Sequence, residues 1–184
     1  MPNYTTNKLK IRCNNSELMV KIKKLIFLEN EKGEKQYSMK KFLPMPEGFS
    51  DHPEYSKYGY DWCCTVWGTK WDVCYPKCKE SGDTLILLYE TAWSPNCEWV
   101  EIFSKYLNWC MRIHKNDATQ ILQVEHDFWE LGMGFGGKLN WRPGEEFKYR
   151  YSGIMEYAYL FNRVLHDSLV KNLDYMPFIP KNNS

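Results

Sequence analysis

Residues 67–72 read WGTKWD, and 91–94, some twenty positions on, read TAWS. Lys70 can act as a point charge for a phosphate or carboxylate, and an indole ring is a stacking platform for a base. In an extended segment Lys70 and Asp72 share one face, with Trp71 on the other. Together the two segments nominate Trp67, Lys70, Trp71, Asp72, Thr91, Trp93 and Ser94 as a ligand site. Trp93 would lie beside Trp71, and Thr91 would offer a hydroxyl. A helix starting at Ser94-Pro95 would aim free N–H groups at a bound anion. The same residues also admit a structural reading, in which a Lys70–Asp72 pair fixes the turn after Gly68 and Trp67 and Trp71 sit in the core.

Other constellations carry less. Cys63, Cys64, Cys74 and Cys78 give C-C-x9-C-x3-C, but adjacent cysteines rarely reach one ion together, so small apolar fillers are the expected role and no metal or other cofactor is expected. His52 and His114 are remote from them. The glycines of LGMGFGG, 131–137, lack the order of a phosphate loop and are read as a bulged hairpin. Glu130 is an expected anchor for the N–H groups of that turn; as an acid/base it would have His126 and Asp127 near it in sequence. No G-x-S-x-G and no Cys/His nucleophile setting is legible, and His126 and His166 read as satisfied or surface residues.

Composition bounds the function. With 184 residues, 43% hydrophobic and 26% charged, the chain is an ordinary globular one. A formal charge of +1 supplies no global field for nucleic acid or an anionic membrane. No stretch approaches a membrane span, and the opening MPNYTTNKLKIRC has no apolar segment of the export type, so the seven cysteines are expected to be reduced thiols in a cytosol. The outlier is an aromatic fraction of 16%, which predicts a ring-rich core or a ring-lined groove.

Periodicity then supplies the elements that must position these residues. YTTNKLKIRC alternates as a half-buried strand, with Lys8, Lys10 and Arg12 on one face. Residues 15–29 follow helical spacing behind Asn15 or Ser16. Residues 30–57 read as a loop, and YGYDWCCTVWG as a short helix ended by Gly68. WDVCYPK and TLILLYETAW read as strands, and a second helix begins near Ser94. QILQVEHDFWE alternates imperfectly. KLNWRPGEEFKYRY reads as a hairpin. Residues 154–169 have an amphipathic helical pattern, followed by a tail. The order predicts an α+β ferredoxin-like antiparallel sheet with helices packed on one face, over residues 1–152. A C-terminal helix and tail, 153–184, would pack on the same domain.

The opening MPNYTTNKLKIRC, the pair WGTKWDV and YETAWSPN, and the late FWELGMGFGGKLNW resemble the YubB-like ferredoxin-like domain family of phages and plasmids. The resemblance spans roughly residues 1–150; the chain departs from it at Cys13, where relatives tend to have Gly, and at Asn96, where they tend to have Pro. It implies a mobile-element protein acting in the host cytoplasm, and implies no settled activity.

The expected function is a non-enzymatic binding protein of a phage or other mobile element, taking a host protein or a small nucleotide-like ligand to blunt defence. One alternative is an enzyme acting on a phosphorylated small molecule, with Lys70 as anion anchor and Glu130 or His126 as acid/base. Another is a single-strand nucleic-acid module using Lys148, Tyr149, Arg150 and Tyr151, against which the near-neutral charge argues. An exposed aromatic face could also form a homodimer.

Overall fold

The structure, a computed structural model, describes residues 3–29, 32–49, 57–113 and 122–152. The helix and tail expected over 153–184 lie outside the described residues, as do His52, His114 and His166.

Strand β1, Tyr4–Cys13, buries Thr5, Asn7, Leu9, Ile11 and Cys13 and leaves the even-numbered side chains half-buried or exposed. This is the period of two that the sequence shows. Helix α1, Ser16–Ile26, is capped by Asn15, whose side chain accepts from the Leu18 N–H at 2.9 Å, and it buries Ile22 and Ile26. It stops three residues earlier than its apolar run suggests. Phe27 turns extended and opens β2, Phe27–Glu29, which pairs with β3, Lys35–Tyr37.

The segment expected to be all loop thus contains β3 and a single helical turn, α2, Met39–Phe42. Helix α3, Lys57–Trp62, runs on into a π-helical turn, Cys63–Trp67, and ends at Gly68 with φ +79°. A left-handed residue stops a helix at little cost only when it lacks a Cβ.

Strands β4, Cys74–Ser81, and β5, Thr84–Ala92, then form a hairpin with a bulge between Cys74 and Lys77. Helix α4, Cys97–Ile113, precedes β6, Leu122–Glu130, β7, Phe135–Trp141, and β8, Lys148–Ser152.

The six long strands form one antiparallel sheet in the order β4-β5-β1-β6-β7-β8. The architecture is therefore mixed α/β, a six-stranded antiparallel sheet with four helices among the described residues. Odd-numbered residues of β1 and β5 share one core with Ile22 and Ile26 of α1, Trp67 of the π turn, and Trp99, Phe103 and Leu107 of α4. Aromatic residues dominate that core: Trp99 stacks on Phe103 at 4.9 Å, and Phe42 meets both edge-on. The opposite sheet face carries the even-numbered side chains of β1 and β5, so helices and lysines are segregated to the two sides.

Candidate functional site

The turn that follows β5 brings the two motifs together. Gly68 lies against the first turn of α4: a Cβ there would stand 1.8 Å from the Glu98 carboxylate and 3.1 Å from the Pro95 carbonyl. The Ser94 hydroxyl donates to the Gly68 carbonyl at 2.5 Å, and Thr69 donates to the Ala92 carbonyl at 3.0 Å. WGTKWD and TAWS are thus stitched directly to each other.

The stitching presents Lys70 to three rings. Its ammonium lies 4.5 Å from the centre of the Trp93 ring, 5.2 Å from that of Trp71 and 5.7 Å from that of Tyr60. All three are within cation–π range. Trp93 is 46% exposed, and its backbone sits at φ +69°. Tyr75, at the β4 bulge, is 71% exposed with φ +50° and meets the Tyr4 ring edge-on at 6.4 Å. These two are the only non-glycine residues with positive φ among the described residues. A left-handed conformation costs a large side chain about 1–3 kcal/mol. Here each strained residue displays its ring to solvent, so core packing does not repay the strain.

The other nominated residues divide cleanly. Trp67 is fully buried, with its indole N–H on the Leu43 carbonyl at 3.0 Å, so it is core. Asp72 makes no pair with Lys70; its carboxylate accepts from Ser38 Oγ, Met39 N and Val73 N and so ties the start of α2 to the loop. Thr91 is buried, donating to the Ser94 carbonyl and accepting from the Asn7 amide. Ser94 does not cap α4, which begins three residues later at Cys97 with the Asn96 carbonyl accepting from Val100. The α4 N-terminus is also already occupied: the Glu98 carboxylate accepts its own backbone N–H. An incoming anion would meet the Glu98 carboxyl group there, so among the described residues the positive charge of the site is that of Lys70.

Glu98 carries no signal in the sequence beyond its place in a helix first turn. Burial pushes its carboxyl up to about 7, Glu101 adds to the shift, and its own N–H opposes it. Tyr60 and Cys64 complete the surroundings. The Cys64 thiol is raised, chiefly by burial, and feels both Lys70 and Glu98.

Beneath this ledge lies a second row that the sequence hides because its members are 119 residues apart. Cys97 Sγ stands 3.9 Å from His126 Nδ1, and His126 Nε2 stands 2.9 Å from Asn7 Oδ1. Nucleophile, base and orienting amide occur in that order. Yet Cys97 is 4% exposed, and His126 and Asn7 are 0% exposed. Burial drives the His126 imidazole down to about 3 and the Cys97 thiol well above its ordinary value. A thiolate–imidazolium pair is therefore disfavoured, and the row works as a buried polar joint between α4 and the sheet.

Glu130 anchors the glycine turn, its carboxylate accepting from the backbone N–H groups of Gly132, at 2.9 Å, and Met133. Among the described residues no group of three His, Cys, Asp or Glu converges as a metal site. Also among them, no helix is long and apolar enough to cross a membrane. Compared with family models, curated proteins and solved structures, the chain has no match.

Proposed function

We propose that the chain is a non-enzymatic binding protein whose ledge of Trp93, Lys70, Trp71 and Tyr60 receives a ligand combining a planar ring with negative charge, of the nucleotide type. The observation that carries this reading is Trp93: a large ring held at φ +69°, 46% exposed, against an ammonium 4.5 Å away. Strain that the core does not repay points to a surface task. Lys70 polarises one side of the indole, and a base can stack on what remains open. A binding role fits the placement of the acid/base candidates, since Glu130 is committed to a turn and His126 is enclosed.

The order β6-β1-β5-β4, with α1 following β1 and α4 joining β5 to β6, supports a ferredoxin-like reading of the central unit, to which β7 and β8 add a hairpin. The phage or plasmid setting, action in the host cytoplasm and the blunting of a host defence rest on the YubB-like resemblance of the stitched WGTKWD and TAWS motifs.

The experiment is a thermal-shift screen of nucleotides, cyclic nucleotides and sugar phosphates against wild type, Lys70→Ala and Trp93→Ala. A ligand at a hundred times its Kd adds about 2.7 kcal/mol, a clear rise in midpoint. Loss of that rise in both folded variants supports the ledge. A flat screen, or a rise that both variants keep, removes it.

A further inference from the structure

The face of the sheet turned away from the helices carries a net positive charge although the chain is nearly neutral. Reading the registers, Lys8, Lys10 and Arg12 of β1 share it with Lys77 and Lys79 of β4, Lys138 of β7, and Lys148 and Arg150 of β8. Against these eight stand Glu90, Glu125 and Asp127, with Asp83 paired to Arg12 and Glu145 paired to Lys148, a balance of +3 where the whole chain has +1. The near-neutral total hides this segregation.

One row crosses all six strands as Lys77, Leu88, Lys8, Asp127, Lys138 and Arg150. Lys10 and Lys138 are held by Glu125 and Asp127, whereas among the described residues Lys8, Lys77, Lys79 and Arg150 make no ion pair. Lys138 faces Arg150 directly across β7–β8, a like-charge pairing that disfavours the folded sheet. Aromatic rings share the face: Tyr4 and, on the neighbouring strand pair, Trp129, which is 38% exposed between Thr6 on one side and the side-chain-free Gly136 on the other. Tyr149 and Tyr151, in contrast, point to the core side, so they are not the rings that could stack.

We infer that this face binds single-stranded nucleic acid of either sugar. Phosphates lie along Lys77, Lys79, Lys8 and Arg150, and bases stack on Trp129 and Tyr4. At about 4.8 Å per strand the row spans roughly 24 Å. Ammonium groups and ring faces read charge and π surface rather than the 2′-hydroxyl. The inference deepens and rests on the ledge reading, because Tyr75 and Trp93 lie at the Tyr4 end of the face, where Trp93 N–H donates to the Asn3 carbonyl, and would receive the terminal base.

The test is fluorescence anisotropy with labelled 12-mers of mixed sequence, as single-stranded DNA, single-stranded RNA and duplex, over a salt series. About four phosphate contacts predict a slope of log K against log salt near −3. Lys77→Ala with Lys79→Ala, on exposed edge positions, is expected to reduce the slope by about 1.4. Trp129→Ala is expected to weaken binding about tenfold at every salt concentration. DNA and RNA strands should bind alike and the duplex more weakly.

Absence of binding, indifference to the Lys77/Lys79 change, or displacement by polyglutamate at equal charge would overturn the inference. A strong preference for one sugar would overturn recognition by charge and stacking alone. A mononucleotide shift that persists without 12-mer binding overturns the sheet path and leaves the ledge. Binding of 12-mers that ignores Trp93→Ala overturns the ledge and leaves the sheet.

Discussion

Asn7 Oδ1 accepts from His126 Nε2 at 2.9 Å, both side chains buried and on adjacent strands but diagonal in register. The Asn7 Nδ2 donates to the Thr5 carbonyl and to Thr91 Oγ1, each at 2.8 Å, so Oδ1 is the atom left to accept. The network thereby assigns the proton to His126 Nε2 and the lone pair to Nδ1, facing Cys97. From Thr91 the line continues to the Ser94 carbonyl, and Ser94 Oγ reaches the Gly68 carbonyl. A buried histidine is thus connected to the turn that holds Trp93 at its unusual φ.

Cutting that line should cost stability. Asn7→Ala leaves the His126 N–H and the Thr91 hydroxyl without their buried partner, a loss of about 2–3 kcal/mol. Urea denaturation checks this. Cys97→Ser, which replaces the thiol by a hydroxyl that can still donate toward Nδ1, should lose no more than about 1 kcal/mol.

The pH dependence has two opposing parts. Glu98 rises from 4.5 to about 7 on folding, so between those values the folded chain holds the extra proton and stability falls as pH rises. His126 falls from 6.5 to about 3, so in that window the unfolded chain holds the extra proton and stability is lost as pH falls. From pH 4.5 to 6.5 the two slopes oppose each other. Glu98→Gln removes one of them, and its stability relative to wild type should climb with pH across this window by up to about 1.4 kcal/mol per unit. Urea midpoints at three pH values suffice, and parallel curves would refute the Glu98 assignment.

Glycine positions test the stitching of the two motifs. Gly68→Ala meets the Glu98 carboxylate and retains φ +79°, so a loss of at least about 2 kcal/mol is expected. Gly48→Ala has φ +82° but nothing within 4 Å, and should lose only about 1 kcal/mol. If thermal unfolding finds the two alike, the Gly68–Glu98 contact is not a constraint.

The sequence exposed what depends on period and hid what depends on register. Alternation in β1 and the Gly68 stop are visible in the residues themselves. The inward face of β6 carries His126 and Glu130 among Leu122, Val124 and Phe128, so its alternation reads as imperfect although every one of the five is buried. Polar groups that satisfy each other across strands look, along the chain, like breaks in a pattern. The loop reading of 30–57 missed α2 because its support comes from Asp72, over thirty residues away. WGTKWD and TAWS were legible as neighbours, whereas the role of Asp72 was not, because its partners Ser38 and Met39 have no periodic signature. The charge balance of the sheet face was out of reach in the same way. Lysines from four strands reach one surface only through pairing registers that the sequence does not print.

Backbone strain separates a binding surface from a structural one. Tyr75 is 71% exposed at φ +50°, and asparagine tolerates that conformation better than tyrosine. The change Tyr75→Asn relieves strain and forfeits only the edge contact with Tyr4, so stability should stay within about 0.5 kcal/mol of wild type or rise. Oligonucleotide affinity should fall several-fold in the same protein. Were the ring a structural support, the variant would instead lose more than about 1 kcal/mol, and binding would change only as unfolding does. Calorimetry and anisotropy on one preparation distinguish the two. Stability held or gained while affinity is lost is what a residue kept at a strained angle for its ligand must show.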